Sequence, residues 1–277
     1  MERSKLVPLA FALVLVAASG CLGAGTDDPT NSNSAITGGM DDSAVRSAFV
    51  AATEDVDSYT ATIETANSGN GYDTESTYRV TVDREAQRAR WNGTTETNGE
   101  AYNTTAVIDP PVVYSTNESR GNWTRHERSG VGAWENIDQL SMYVTLADRS
   151  NATVVGSTTI DGEGATVLEA DVDRETYMSV VAGENASTTP IDGPNVTASL
   201  RLVVDNETAV PQTLEMQTTT VSEYGNYEST TTMTIEDHGP ATQIETPQDT
   251  VTATVRTGSE GGTTTVVTAS APPTEEE

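Results

Sequence analysis

Along most of this chain the hydrophobic positions follow one of two periods, 3.6 or 2. Val45, Phe49, Ala52 and Val56 recur at spacings of four, three and four, which puts one apolar stripe on a helix over residues 42–56. Asp41-Asp42-Ser43 supplies a cap and acids that suit a helix N-terminus. The period then becomes 2. Tyr59, Ala61 and Ile63 alternate with Thr60, Thr62 and Glu64, and Tyr78, Val80 and Val82 with Arg79, Thr81 and Asp83. Strands are predicted there, separated by a turn-rich loop at 67–71. After a turn at 83–86, strands are predicted over 87–91, 101–108, 112–115 and 122–126, with Asp109-Pro110-Pro111 as a break.

The period is helical again over 134–148, where Trp134, Ile137, Leu140, Val144 and Ala147 recur at three and four. Strands over 153–159 and 165–172 flank Asp161-Gly162-Glu163-Gly164. Tyr177, Val180 and Val181 mark a short third helix over 173–182. A meander over 196–204, 210–221 and 230–235 turns at Asp205-Asn206-Glu207-Thr208 and ends at Gly239-Pro240. The fold class is therefore α+β, with roughly nine to eleven antiparallel strands and two or three inserted amphipathic helices. A single curved sheet cannot bury its own concave face, and the stripes beginning at Val45 and Trp134 are the available covers.

Both ends differ from this middle. Residues 6–17 are a mostly apolar run behind Arg3 and Lys5, followed by Ala18-Ser19-Gly20 and then Cys21, the only cysteine. The run is too short for a comfortable membrane span and has the layout of a signal peptide over residues 1–20. Ala-Ser-Gly-Cys resembles a lipobox, which makes Cys21 the expected lipidation site and new N-terminus. No Arg-Arg pair precedes the run, so the general secretory route is expected. Residues 21–40 read as a lipidated cysteine and flexible tether, 41–240 as the folded domain. Residues 241–277 are rich in Thr, Gly and Glu and read as a mostly disordered tail, with an added edge strand at 250–256 or 263–267.

Charge narrows the function classes. The 14 basic and 42 acidic residues give a net charge of −28, and Lys5 in the leader is the only lysine. The acids are spread along the chain, as expected of a halophilic surface that must stay hydrated. Phosphate repulsion excludes nucleic acid as a partner. Aromatics make up 5% and apolar residues 35%, so the core is modest. His126 and His238 are far apart in sequence, and there is no phosphate loop, CxxC pair or Gly-x-Ser-x-Gly elbow. Asp41-Asp42 and Asp171 with Asp173 are acid pairs that such a composition produces by chance. Asp161-Gly162-Glu163-Gly164 is shorter than a calcium loop and reads as a hairpin. The expectation is a non-enzymatic protein with no metal and no cofactor. Eight sequons, at Asn92, Asn103, Asn117, Asn122, Asn151, Asn185, Asn195 and Asn206, fit an exported glycoprotein.

Three short patterns carry a family resemblance. They are Asp57-Ser58-Tyr59-Thr60-Ala61 after the first helix, the turn Val82-Asp83-Arg84-Glu85, and Leu200 to Pro211, where a strand ends in Val-Asp, turns, and resumes after Pro. In these and in element order the chain resembles the lipoprotein carriers of the LolA, LolB and LppX/LprG type, and acidic haloarchaeal lipoproteins that share the layout. The resemblance implies a half-barrel sheet whose concave face, lidded by helices, forms a pocket for a lipid-like ligand. Phe49, Trp91, Trp123, Trp134, Leu140, Leu202, Leu214 and Met216 are the candidate pocket lining, with ordinary core packing the alternative for each tryptophan. The implied protein is anchored on the outer face of the cell membrane and binds or hands over a hydrophobic ligand. The rival expectation is an envelope module with a filled core that meets S-layer or other envelope proteins. An enzyme whose acids cannot be sorted from the solvating ones is a third.

Overall fold

The computed structural model describes residues 35–117, 123–127, 134, 137–181, 195–222, 225–240, 242–247, 252–254 and 266–268. The leader, Cys21, Asn122, Asn185 and most of the tail lie outside the described residues. In chain order the elements are α1 (Asp42–Glu54), β1 (Ser58–Gly69), β2 (Tyr72–Asp83), β3 (Arg88–Thr97), β4 (Glu100–Asp109), β5 (Val112–Asn117), β6 (Thr124–Glu127), α2 (Gln139–Arg149), β7 (Thr153–Ile160), β8 (Glu163–Val172), α3 (Arg174–Val181), β9 (Asn195–Asp205), β10 (Pro211–Ser222), β11 (Gly225–Gly239), β12 (Thr252–Thr254) and β13 (Val266–Thr268).

All strands join one open, curved sheet in the order β13-β12-β6-β5-β4-β3-β2-β1-β11-β10-β9-β8-β7. Neighbours are antiparallel except β12, which runs parallel to β6. The α+β half-barrel is thus what the period pattern and the resemblance implied. Both tail stretches form short strands, whereas one was expected. Tight turns explain the long meander. Asn70-Gly71, Asn98-Gly99 and Asp161-Gly162 have φ of 49° and 81°, 52° and 84°, and 52° and 91°. Such paired left-handed residues match the twist of two-residue hairpins. The loop expected at 67–71 therefore shrinks to Asn70-Gly71. The β9–β10 turn is held by Asp205, whose Oδ1 accepts the Glu207 and Thr208 N–H groups at 2.9 and 2.7 Å.

Alternation sorts the two faces. Tyr59, Ala61 and Ile63 of β1, Val80 and Val82 of β2, Leu200 and Leu202 of β9, Leu214 of β10, and Met233 and Ile235 of β11 point into the core. The opposite face carries threonine, arginine and acids, including the Arg79–Glu236 ion pair at 2.8 Å. Helix α1 adds Val45, Ala48 and Phe49 to the core, and α2 adds Leu140, Tyr143, Val144 and Ala147. The helices approach the sheet most closely on its β7–β9 side. Helix α3 buries no residue fully, so it is a partial cover. Helix α2 begins five residues later than the periodicity predicts. Asp138 is its cap, accepting the Ser141 N–H at 3.3 Å, and Trp134 and Ile137 precede it in a turn. Ile36 is buried, and its N–H donates to the Asn206 carbonyl at 2.8 Å. The fold therefore takes in residues from the stretch read as tether.

Candidate functional site

A charged knot closes one end of the helix cover. The turn after β2 carries Arg84 beneath α1 and α2. Its Nε donates to Asp138 Oδ2 at 2.7 Å, and its Nη1 donates to the Val56 carbonyl at 2.9 Å and to the Thr53 carbonyl. Nη2 donates to Ser141 Oγ. Asp138 is 3% exposed and takes further bonds from the Tyr59 hydroxyl at 3.1 Å and Ser141 Oγ at 2.7 Å. Five hydrogen bonds and an ion pair thus tie the end of α1, the start of α2, β1 and the β2–β3 turn. A buried pair persists only when each partner's remaining donors and acceptors are met in this way.

Burial pushes the Tyr59 phenol well above its ordinary range, and the Asp138 charge adds to it. Burial likewise pushes Tyr143 up to about 12. A phenol whose folded pKa is raised stabilises the fold fully below the unfolded pKa of 10.0. That contribution is lost as pH rises through the folded value. Absorbance titration of the nine tyrosines should therefore leave Tyr59 and Tyr143 protonated until the protein unfolds. Denaturant midpoints should fall from pH 10 towards about 12. A midpoint that is flat across that window would show both phenols to be solvated.

Next to the knot the core side chains are fully buried, and beyond them the apolar residues of the inner face are only partly buried. Phe49, Leu140, Leu202 and Leu214 are all 0% exposed, and Met216 is 9% exposed at the margin. Tyr78, Trp91 and Ile108 stand on the inner face of neighbouring strands β2, β3 and β4, each half-buried against that core. Trp134, Ile137 and Met142 pack on it from the start of α2. The Tyr78 and Trp91 rings meet edge-on at 5.9 Å and 62°. Gly93 makes this possible, because a Cβ there would strike the Thr77 carbonyl and the Tyr78 ring. The Trp91 Nε1 is buried and has no hydrogen-bond partner among the described residues.

Of the expected lining, then, Phe49, Leu140, Leu202, Leu214, Met216, Trp91 and Trp134 gather in or against one core. Trp123 stands apart, in an open groove with Arg88 and Arg90. Three open concavities of about 290, 580 and 710 Å³ are lined mainly by threonine, serine, asparagine and charged side chains. None of the three touches Phe49, Leu140, Leu202 or Leu214.

The carboxylates sort clearly. Among the described residues the buried ones are Asp83, Asp138 and Asp205. Asp138 belongs to the knot, and the other two hold turns. No group of three His, Cys, Asp or Glu side chains converges among the described residues. Asn92, Asn103, Asn151 and Asn195 are exposed. The first two face each other's sequon across β3 and β4, Thr94 donating to Asn103 at 2.6 Å and Thr105 to Asn92 at 3.3 Å. Asn206 is half-buried and accepts from Thr166 at 2.7 Å, and Asn117 ends β5.

The knot was missed as a unit, although Tyr59 and Arg84 sit in the short patterns that carry the resemblance. Asp138 gave no signal beyond being an acid ahead of a helix. No family model and no curated protein matches the chain. Among solved structures it is similar to the Mycobacterium tuberculosis lipoprotein LppX, at 12% identity and a TM-score of 0.47 over 74% of this chain and 98% of that one. It is also similar to LprF from Mycobacterium bovis (15%, 0.43, 74% and 96%). A LolA superfamily protein from Nitrosomonas europaea matches at 11% and 0.26, over 69% of this chain and 94% of that one.

Proposed function

We propose that this chain is a lipid-anchored, non-enzymatic lipoprotein on the outer face of the cell membrane that holds or hands over a hydrophobic, lipid-like ligand. The observation that carries the reading is the half-buried apolar shelf of Tyr78, Trp91, Ile108, Trp134, Ile137 and Met142, continuous with the sealed core. The part of this apolar surface that is left in water is stabilised when something apolar covers it. An acyl or isoprenoid chain on that shelf would extend the core without unpacking it. Native mass spectrometry of detergent-free protein from its own membrane should show a co-purifying lipid, lost in Trp91→Ala. Lipid-free protein with the native circular dichroism would overturn the reading.

The second reading is the envelope module with a filled core. It is favoured by the sealed packing around Phe49 and Leu202 and by the polar concavities. Its partners would be S-layer or other envelope proteins, met through the acidic surface.

Anchoring rests on Cys21. Among the described residues no helix is long and apolar enough to cross a membrane. With Ile36 docked on the fold, the 14 residues between Cys21 and Ile36 set an upper bound of about 14 × 3.3 Å, ~46 Å, on the distance to the anchor. Cys21→Ser should release the protein into the medium or leave the precursor uncut. An unchanged, processed membrane fraction would refute lipidation. We place glycans at the exposed sequons, Asn151 and Asn195 first.

A further inference from the structure

In this strongly acidic chain, four of the 14 basic residues fall between positions 79 and 90. Arg84 is spent in the knot, and Arg79 pairs with Glu236. Arg88 and Arg90 alternate with Ala89 and Trp91 on β3, so they lie on the face opposite the apolar shelf. There the segment 243–247 crosses the outer side of the sheet and seats Ile244, 5% exposed, near Val107, 2% exposed. Strand and strap enclose an open groove of about 710 Å³ walled by Arg88, Arg90, Val107, Trp123, Ile244 and Glu245.

The two guanidinium groups are under-used. Arg88 reaches Asp109 at 3.3 Å through Nη2, while its Nε is buried and has no hydrogen-bond partner among the described residues. Arg90 is exposed and has no ion pair or hydrogen-bond partner among them. A buried, unpaired N–H is unfavourable. An oxyanion offers a pair of acceptor oxygens whose spacing the guanidinium fork matches. Val107 and Ile244 are buried against each other's side of the groove, and the partly exposed Trp123 ring stands ready for the organic part of such a ligand.

We propose that this groove binds an organic oxyanion, a carboxylate, phosphate or sulfate, between Arg88 and Arg90, with its organic body against Trp123. The site is independent of the lipid reading, since it lies on the other face of the sheet. Glu245 in the wall weakens the site by repulsion and biases it towards a single anionic group.

The test titrates full-length protein in non-ionic micelles with phenyl phosphate, phenyl sulfate, benzoate and glycerol phosphate, read by calorimetry and tryptophan fluorescence. Saturable binding is expected for at least one probe, weakened about tenfold or more in Arg90→Gln and tightened several-fold in Glu245→Gln. Preference for a phenyl probe assigns a ring-borne anion, and preference for glycerol phosphate assigns a lipid headgroup. Arg90 is exposed, so Arg90→Gln should keep the native melting temperature. Absence of saturable binding by every probe, or equal affinities in the native, Arg90→Gln and Glu245→Gln proteins, would overturn the proposal.

Discussion

Asp138→Ala is expected to lower the unfolding free energy by about 3–5 kcal/mol, because it leaves the Arg84 guanidinium buried without its counter-charge. The side chains of Arg84 and Asp138 are 14% and 4% exposed, so water cannot replace the lost partner. The same change removes the α2 cap, an effect of about 1 kcal/mol when measured alone, and frees the Tyr59 hydroxyl. These terms share one network and will not add. Denaturant unfolding measures the loss. Asp138→Asn should fall between native and Ala, since the amide can still cap α2 but carries no charge. The double variant Arg84→Met with Asp138→Leu should lose less than Asp138→Ala alone. A loss under about 1 kcal/mol in Asp138→Ala would mean that the pair is solvated and the helices are held by their apolar faces alone.

Phe49→Ala is expected to lower stability by about 3–5 kcal/mol. Phe49 is 0% exposed in the α1 stripe and packs in the same cluster as Leu140, Leu202 and Leu214. Its removal takes apolar area out of the core and leaves a cavity that the sheet cannot collapse to fill. Phe49→Leu should lose about 1.5 kcal/mol or less. The pair also bears on the two functional readings. If the shelf is where the ligand sits, Phe49→Leu should retain the co-purifying lipid, because the sealed core is structural. A Phe49→Leu variant that folds but loses the lipid would move the ligand beneath α1.

The shared character of these two sites explains what could be read early. Phe49 was legible because burial imposes a period, and the period survives in the linear sequence as Val45, Phe49, Ala52 and Val56. The strands were legible for the same reason, and the Asp161-Gly162 hairpin because only a few residue types tolerate two positive φ angles in succession. Asp138 could not be read. Among 42 acids nothing local separates a buried carboxylate from a solvating one. Its distinction is a partner 54 residues away. Trp91 and Trp123 looked alike in sequence. The sheet sends one inward, onto the core, and the other into a groove with two arginines.

The sequence by itself determined the class of fold, the order of helices and strands and the sign of the surface. These are properties of period, composition and short linear signals. Only the tertiary structure decided how far the helices cover the sheet and which carboxylates leave water. It also decided which side chains beneath α1 and α2 are fully buried and which apolar ones beside them are only partly buried. The reason is physical: burial and ion pairing are set by distances between residues remote in the chain, and alternation along a strand states that a side chain faces inward without stating what stands across from it.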